Sequence, residues 1–124
     1  MKEKCLNCYI KGGQIPNGKI RVSGAKNAAT KLLAASLISD EVIKFTNFPI
    51  NLVDVEYKIE FIRRSGGLIF TEDESETIEI NPKALTCSGI GHYNYPIRTT
   101  YLLAAGFLKR CGIARIPYPG GCKI

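Results

Sequence analysis

Ile20-Arg-Val-Ser-Gly-Ala-Lys-Asn-Ala-Ala29 changes character at its centre. The spacing predicts a short strand over 19–22, a tight Ser23-Gly24 turn and a helix from about Lys26. Glycine at position 24 permits backbone angles that a residue with a Cβ resists. The first turn of a helix presents unpaired N–H groups and the positive end of the helix dipole. Lys26 and Asn27 add a mobile cation and an amide at that place, which makes a candidate site for a phosphate or a carboxylate. The plainer reading, which spacing alone favours, is a capped helix start with a solvated lysine.

Working outward, residues 6–10 read as a short strand. Gly12-Gly13 and Pro16-Asn17-Gly18 mark turns on either side of Gln14-Ile15. Residues 28–38 are rich in Ala and Leu and leave little polar face, so a largely buried helix is expected. Residues 42–46 follow as a strand. Asn51 can cap a helix over about 52–65 whose apolar positions Leu52, Val55, Ile59 and Ile62 keep helical spacing. Arg63-Arg64 complement its dipole, and Gly66-Gly67 supply the stop. The runs 68–71 and 77–80 read as an antiparallel hairpin with a charged, solvated tip. Residues 81–96 are loop-rich. Pro96 can start a helix over 97–109 that Gly112 ends, and 113–116 read as a strand. The chain is thus α/β in the α+β sense, and the hairpin argues against a purely parallel doubly wound sheet. Neither a dinucleotide fingerprint nor a P-loop is present.

Composition narrows the partners. The chain has 124 residues, 45% hydrophobic and 23% charged, enough for one domain with a real core. A net charge of +6 suits an anionic ligand. Only Arg63-Arg64 and Lys109-Arg110 are adjacent basic pairs, and no basic stripe carries interleaved aromatics, so nucleic acid is not expected. No apolar run approaches a membrane span. Five cysteines, Cys5, Cys8, Cys87, Cys111 and Cys122, without a signal-peptide pattern suggest reduced thiols and a cytoplasmic setting. Cys5-x-x-Cys8 is a lone pair and His92 the only histidine, which is short of a zinc site.

Two further residues could carry chemistry. Cys122 lies in Pro119-Gly-Gly-Cys122 beside Lys123. A lysine next to an exposed thiol enlarges its thiolate fraction, so Cys122 is a candidate nucleophile or proton donor. Spacing alone favours an incidental surface thiol. Arg98 follows Pro96-Ile97 in the first turn of its helix. It is either a solvated arginine or a bidentate anion clamp, and spacing does not decide.

Together, Ser23-Gly-Ala-Lys-Asn27 with Ala28-Ala29, Arg98 ahead of an apolar helix, and Pro119-Gly-Gly-Cys122 resemble the N-terminal part of the UDP-N-acetylglucosamine 1-carboxyvinyltransferases. The resemblance runs from about Ile10 to Ile124, and the spacing of Arg98 and Cys122 matches as well. The related shikimate-pathway enolpyruvyl transferase lacks the Pro-Gly-Gly-Cys loop. The resemblance implies part of an inside-out α/β barrel built from repeated β-α-β-α-β-β units. Residues 1–22 would be strands lying against the second domain, 23–95 the first unit, and 96–124 the start of the second. It implies transfer of enolpyruvyl from phosphoenolpyruvate to the 3′-hydroxyl of UDP-N-acetylglucosamine in peptidoglycan precursor synthesis. Lys26 and Asn27 would bind phosphoenolpyruvate, and Arg98 UDP-N-acetylglucosamine. Cys122 would be the catalytic proton donor and the thiol that fosfomycin alkylates. No metal or organic cofactor is implied.

The chain departs from that pattern in two ways. Leu102 stands where an aromatic residue is often found, one turn after the arginine. The sequence also stops two residues after Cys122, before the family's next arginine, a second-domain arginine and the carboxylate proposed as base. The expectation is therefore a truncated form, inactive alone. The rival reading is a non-catalytic anion-binding relic or one half of a split enzyme completed by a second chain. A small basic RNA-binding domain is the third.

Overall fold

The computed structural model describes residues 7–86 and 97–116. The elements are helix α1 (Lys26–Ser36), strand β1 (Ile43–Phe45), helix α2 (Val53–Arg64), strands β2 (Leu68–Glu72) and β3 (Thr77–Asn81), 3₁₀ turns at Pro82–Ala84 and Arg98–Leu103, and helix α3 (Ala104–Cys111). The strands form one antiparallel sheet in the order β1-β3-β2. The chain is thus α+β, two layers deep.

Alternation along the strands sets which face the sheet buries. The register places Ile43 and Ile69 against Ile80, and Phe45 and Thr71 against Ile78. Ile69, Ile78 and Ile80 turn inward and join the core with Leu33 and Leu37 from the α1 region, Val55, Phe61 and Ile62 from α2, and Leu103 and Phe107 from the third helical segment. Phe70, on the other face, is 62% exposed.

Helix α2 matches its predicted span closely. Asp54 and Glu56 occupy its first turn and Arg63 and Arg64 its last, each complementing the dipole. Gly66, at φ +85°, takes the left-handed position after the helix. Its N–H donates to the Arg63 carbonyl, and the Gly67 N–H reaches back to the Ile62 carbonyl at 2.9 Å. These two bonds satisfy carbonyls that the helix end leaves open. The expected Asn51 cap is not formed: Leu52 is the capping residue and makes no side-chain cap bond.

Other expectations are corrected. Residues 7–25 carry no helix or strand, so the strand expected over 19–22 is absent. The large apolar side chains there are exposed, from 74% at Val22 to 94% at Tyr9 and Ile15. The segment has the composition of a strand but no ladder to join among the described residues, and strand geometry persists only where its N–H and C=O groups are paired. The same holds for 113–116, which are irregular. Helix α1 buries one stripe, Ala29, Thr30, Leu33, Ala34 and Ser36, and leaves Leu32 40% exposed. It is covered by α2, α3 and the Arg98–Leu103 turn, so only the face toward them is apolar-packed. The helix expected from Ile97 opens as the 3₁₀ turn and becomes α-helical only at Ala104. Cys111 is disulfide-bonded, which overturns the expectation of five reduced thiols; Cys8 is free and exposed.

Both adjacent basic pairs are occupied with the fold itself. Arg63 donates through Nη2 to the Ile69 carbonyl at 3.0 Å, and Arg64 pairs with Glu60 at 2.7 Å. Lys109 donates to the Ile38 carbonyl, and Arg110 to the Leu37 carbonyl, closing the C-terminal end of α1. Arg110 and Lys109 also hold the Asp40 carboxyl below the usual carboxylate range.

Gly24 is required for a reason other than the expected one. Its φ lies outside the left-handed region. A Cβ at this position would collide with the Asn47 carbonyl oxygen and lie 2.7 Å from Cδ of Pro49. Close approach of two backbone segments therefore excludes a side chain here. Gly24→Ala should destabilise the chain by about 1–3 kcal/mol in urea unfolding. Gly12→Ala, where a Cβ meets nothing within 4 Å, should stay within about 0.5 kcal/mol. Equal effects would contradict this account of Gly24.

Candidate functional site

Lys26 is the first residue of α1, and Ala25 before it makes no side-chain cap bond. The helix has no acidic residue in its own first turn. The counter-charge comes from α2: Lys26 Nζ lies 3.1 Å from Asp54 Oδ2, with the lysine side chain 54% exposed. Asp54 thus holds a half-exposed ammonium at the N-terminal end of α1. Asn27 is exposed, and its carbonyl accepts from Thr30 Oγ1 at 3.3 Å. As the second residue of α1, Asn27 lies at the same end of the helix as Lys26.

Arg98 is the first residue of its 3₁₀ turn and is exposed. The next residue joins the turn to α2. Lys58 Nζ donates to Thr99 Oγ1 at 2.7 Å and to the Asp54 carbonyl at 3.5 Å. A continuous run of contacts therefore leads from Lys26 through Asp54 and Lys58 to Thr99, the neighbour of Arg98. The fold links these two predicted site residues through one helix. Cys122 lies outside the described residues, as do Cys5, Cys87 and His92.

Lys58 is the residue that sequence reasoning missed. It is fully buried, at 0% exposure. Burial pushes its ammonium below the ordinary lysine pKa, Asp54 opposes that shift, and Lys26 adds to it. The signal was present in the sequence: Val55, Lys58, Ile59 and Ile62 fall at i, i+3, i+4 and i+7, so the lysine stands inside the apolar stripe of α2.

The lowered pKa carries a consequence for stability. Between the folded-state pKa and the ordinary lysine value of about 10.4, the unfolded chain binds the proton and the folded chain does not. Stability from this group therefore rises with pH across that window. Urea unfolding should show wild type gaining on Lys58→Met as the pH is raised toward the lysine range. A pH-independent difference between the two would contradict the shift.

No protein-family model matches the chain. Curated proteins named UDP-N-acetylglucosamine 1-carboxyvinyltransferase do, among them the following three. The protein from Coxiella burnetii is 40% identical over 121 residues, which is 93% of this chain and 26% of the relative. That from Hyphomonas neptunium is 36% identical over 118 residues, 94% of this chain and 27% of the relative. That from Sulfurovum sp. is 34% identical over 116 residues, 93% of this chain and 27% of the relative. The chain is therefore homologous, over nearly all of its length, to UDP-N-acetylglucosamine 1-carboxyvinyltransferases, and spans about a quarter of the length of the relatives it matches.

Proposed function

We propose that these residues form the N-terminal, substrate-binding segment of an enolpyruvyl transferase that moves the enolpyruvyl group of phosphoenolpyruvate to the 3′-hydroxyl of UDP-N-acetylglucosamine, in peptidoglycan precursor synthesis. The observation that carries this reading is the 34–40% identity maintained across about 93% of the chain. In this account Lys26 and Asn27 bind the phosphoenolpyruvate anion at the start of α1, and Arg98 binds UDP-N-acetylglucosamine. Cys122 donates a proton to the methylene carbon as the sugar hydroxyl adds to the neighbouring carbon, and phosphate leaves when the vinyl group is restored. The half-exposed Lys26 ammonium and the positive end of α1 suit an anion whose charge changes during the reaction.

The same reading makes the two-layer unit part of an inside-out α/β barrel, with residues 1–22 against a second domain, 23–95 as the first repeat unit and 96–124 as the start of the next. It places the enzyme in the cytoplasm, with Cys122 as the fosfomycin target. Among the described residues no helix is long and apolar enough to cross a membrane. A second reading, one half of a split enzyme completed by another chain, is favoured by the exposed apolar run Tyr9, Ile10, Ile15, Ile20 and Val22, which lacks a partner strand among the described residues.

Cys122 supplies the test. After reduction, iodoacetamide should label Cys122 faster than the exposed thiol of Cys8, because Lys123 favours its thiolate. Mass spectrometry showing equal rates at the two would count against an activated thiol and against this reading of the loop.

A further inference from the structure

Lys58 sits in the fold at a cost. A methionine of similar length would fill the same volume without taking a charge out of water, and such replacements of buried charges are often neutral or stabilising. The lysine's polar atom is spent on a contact between elements: the hydroxyl of Thr99, one residue from Arg98, at 2.7 Å. Its other bond, at 3.5 Å, goes to the carbonyl of Asp54, whose carboxylate holds Lys26. Both arms of the candidate site therefore converge on one residue.

We propose that Lys58 is a positioning residue of the anion site, locking the Arg98-bearing turn onto α2 through Thr99 so that Arg98 is held in register with Lys26. This rests on the reading of Arg98 as a UDP-N-acetylglucosamine ligand. A 3₁₀ turn has poor internal hydrogen-bond geometry, and the N-cap of this one, Ile97, makes no side-chain cap bond. The bond from Lys58 anchors the second residue of the turn from outside. The groups facing the ammonium are Asp54 on its own helix, Lys26 from α1 and the uncharged Thr99 from the turn.

The test is a double-mutant cycle on the full chain. It uses UDP-N-acetylglucosamine binding by calorimetry, and hydrogen exchange of the amides of Arg98–Leu103. Lys58→Met and Thr99→Val should each weaken binding about tenfold, the effect of losing a hydrogen bond to a charged group. The double variant should be no worse than either single one, and Thr99→Ser, which keeps the hydroxyl, should restore wild-type affinity. Once Arg98→Ala is present, Lys58→Met should cost nothing more. Exchange over Arg98–Leu103 should quicken in Lys58→Met and Thr99→Val while that of α2 stays unchanged. Undiminished binding in Lys58→Met, additive losses with Arg98→Ala, or unchanged exchange in the turn would each overturn the role of Lys58 alone. Wild-type chain that fails to bind UDP-N-acetylglucosamine would overturn the reading of Arg98 and the role of Lys58 with it. Thr99→Val keeps the proposal decidable should Lys58→Met fail to fold.

Discussion

A polypeptide of these 124 residues, given phosphoenolpyruvate and UDP-N-acetylglucosamine, should release no phosphate above a Cys122→Ala control. The expectation follows from the proposed function and from charge. Phosphoenolpyruvate carries several negative charges, and under that reading the single cation Lys26 offsets only part of them. The match takes in about a quarter of the relatives, and in the family two further arginines and the carboxylate base lie outside it. Loss of a single transition-state hydrogen-bond donor costs about 3–4 kcal/mol. Holding two substrates in line in a closed site contributes about 7–11 kcal/mol, and under the proposed function that closure needs the rest of the relatives' length, which the match does not take in. The combined loss spans many powers of ten in rate. Turnover above the control, with no second polypeptide present, would show that the positioning and the charges come from these residues alone.

The second large effect concerns the packing that holds the Arg98 turn and α3 to the rest of the core. Phe107 is fully buried and meets Phe61 of α2 edge-on, with ring centroids 5.5 Å apart. Phe107→Ala removes that contact and leaves a cavity between α3 and α2, costing about 3–5 kcal/mol. A domain's whole stability is about 5–15 kcal/mol, so the urea midpoint should fall sharply. Phe70→Ala, on the open face of the sheet at 62% exposure, should change stability by less than about 0.5 kcal/mol. If the two variants unfold at the same midpoint, the third helical segment is not integral to this core.

How far the sequence announced these features depended on whether local and tertiary signals agreed. Helix α2 was readable because its apolar spacing, terminal charges and Gly66-Gly67 stop all favoured one answer. The β2–β3 hairpin was readable because two β-rich runs flank a charged tip. The segment 19–22 was misread because β-propensity describes residues that suit a half-buried ladder, and no ladder reaches it among the described residues. The start of α3 was misread because the apolar pattern over 97–109 does not fix whether the first turns wind as 3₁₀ or α. Gly24 was singled out correctly but for its torsion angles, whereas its role is the approach of the Asn47 backbone, a contact that no local pattern encodes.

The site shows the same division. Lys26, Asn27 and Arg98 were singled out by motif, and the structure places each at the start of its element. The route between them was not legible, because it depends on how α2 packs beside α1 and which of its side chains reaches the Arg98 turn. Lys58 could have been flagged, since a lysine at the centre of an apolar stripe either snorkels to water or finds a partner. Its partner, Thr99, is 41 residues away along the chain, and only the fold supplies that pairing.

The most direct measurement of the central claim is a chimera in which these residues replace the matching quarter of the Coxiella burnetii relative, 40% identical over 121 residues. Phosphate release from phosphoenolpyruvate and UDP-N-acetylglucosamine would be assayed beside Lys26→Ala, Arg98→Ala and Cys122→Ala. The account predicts an active chimera, abolished by Cys122→Ala and reduced at least about a hundredfold by Lys26→Ala, the loss expected for one electrostatic donor. A folded but inactive chimera, or activity that survives both substitutions unchanged, would contradict it.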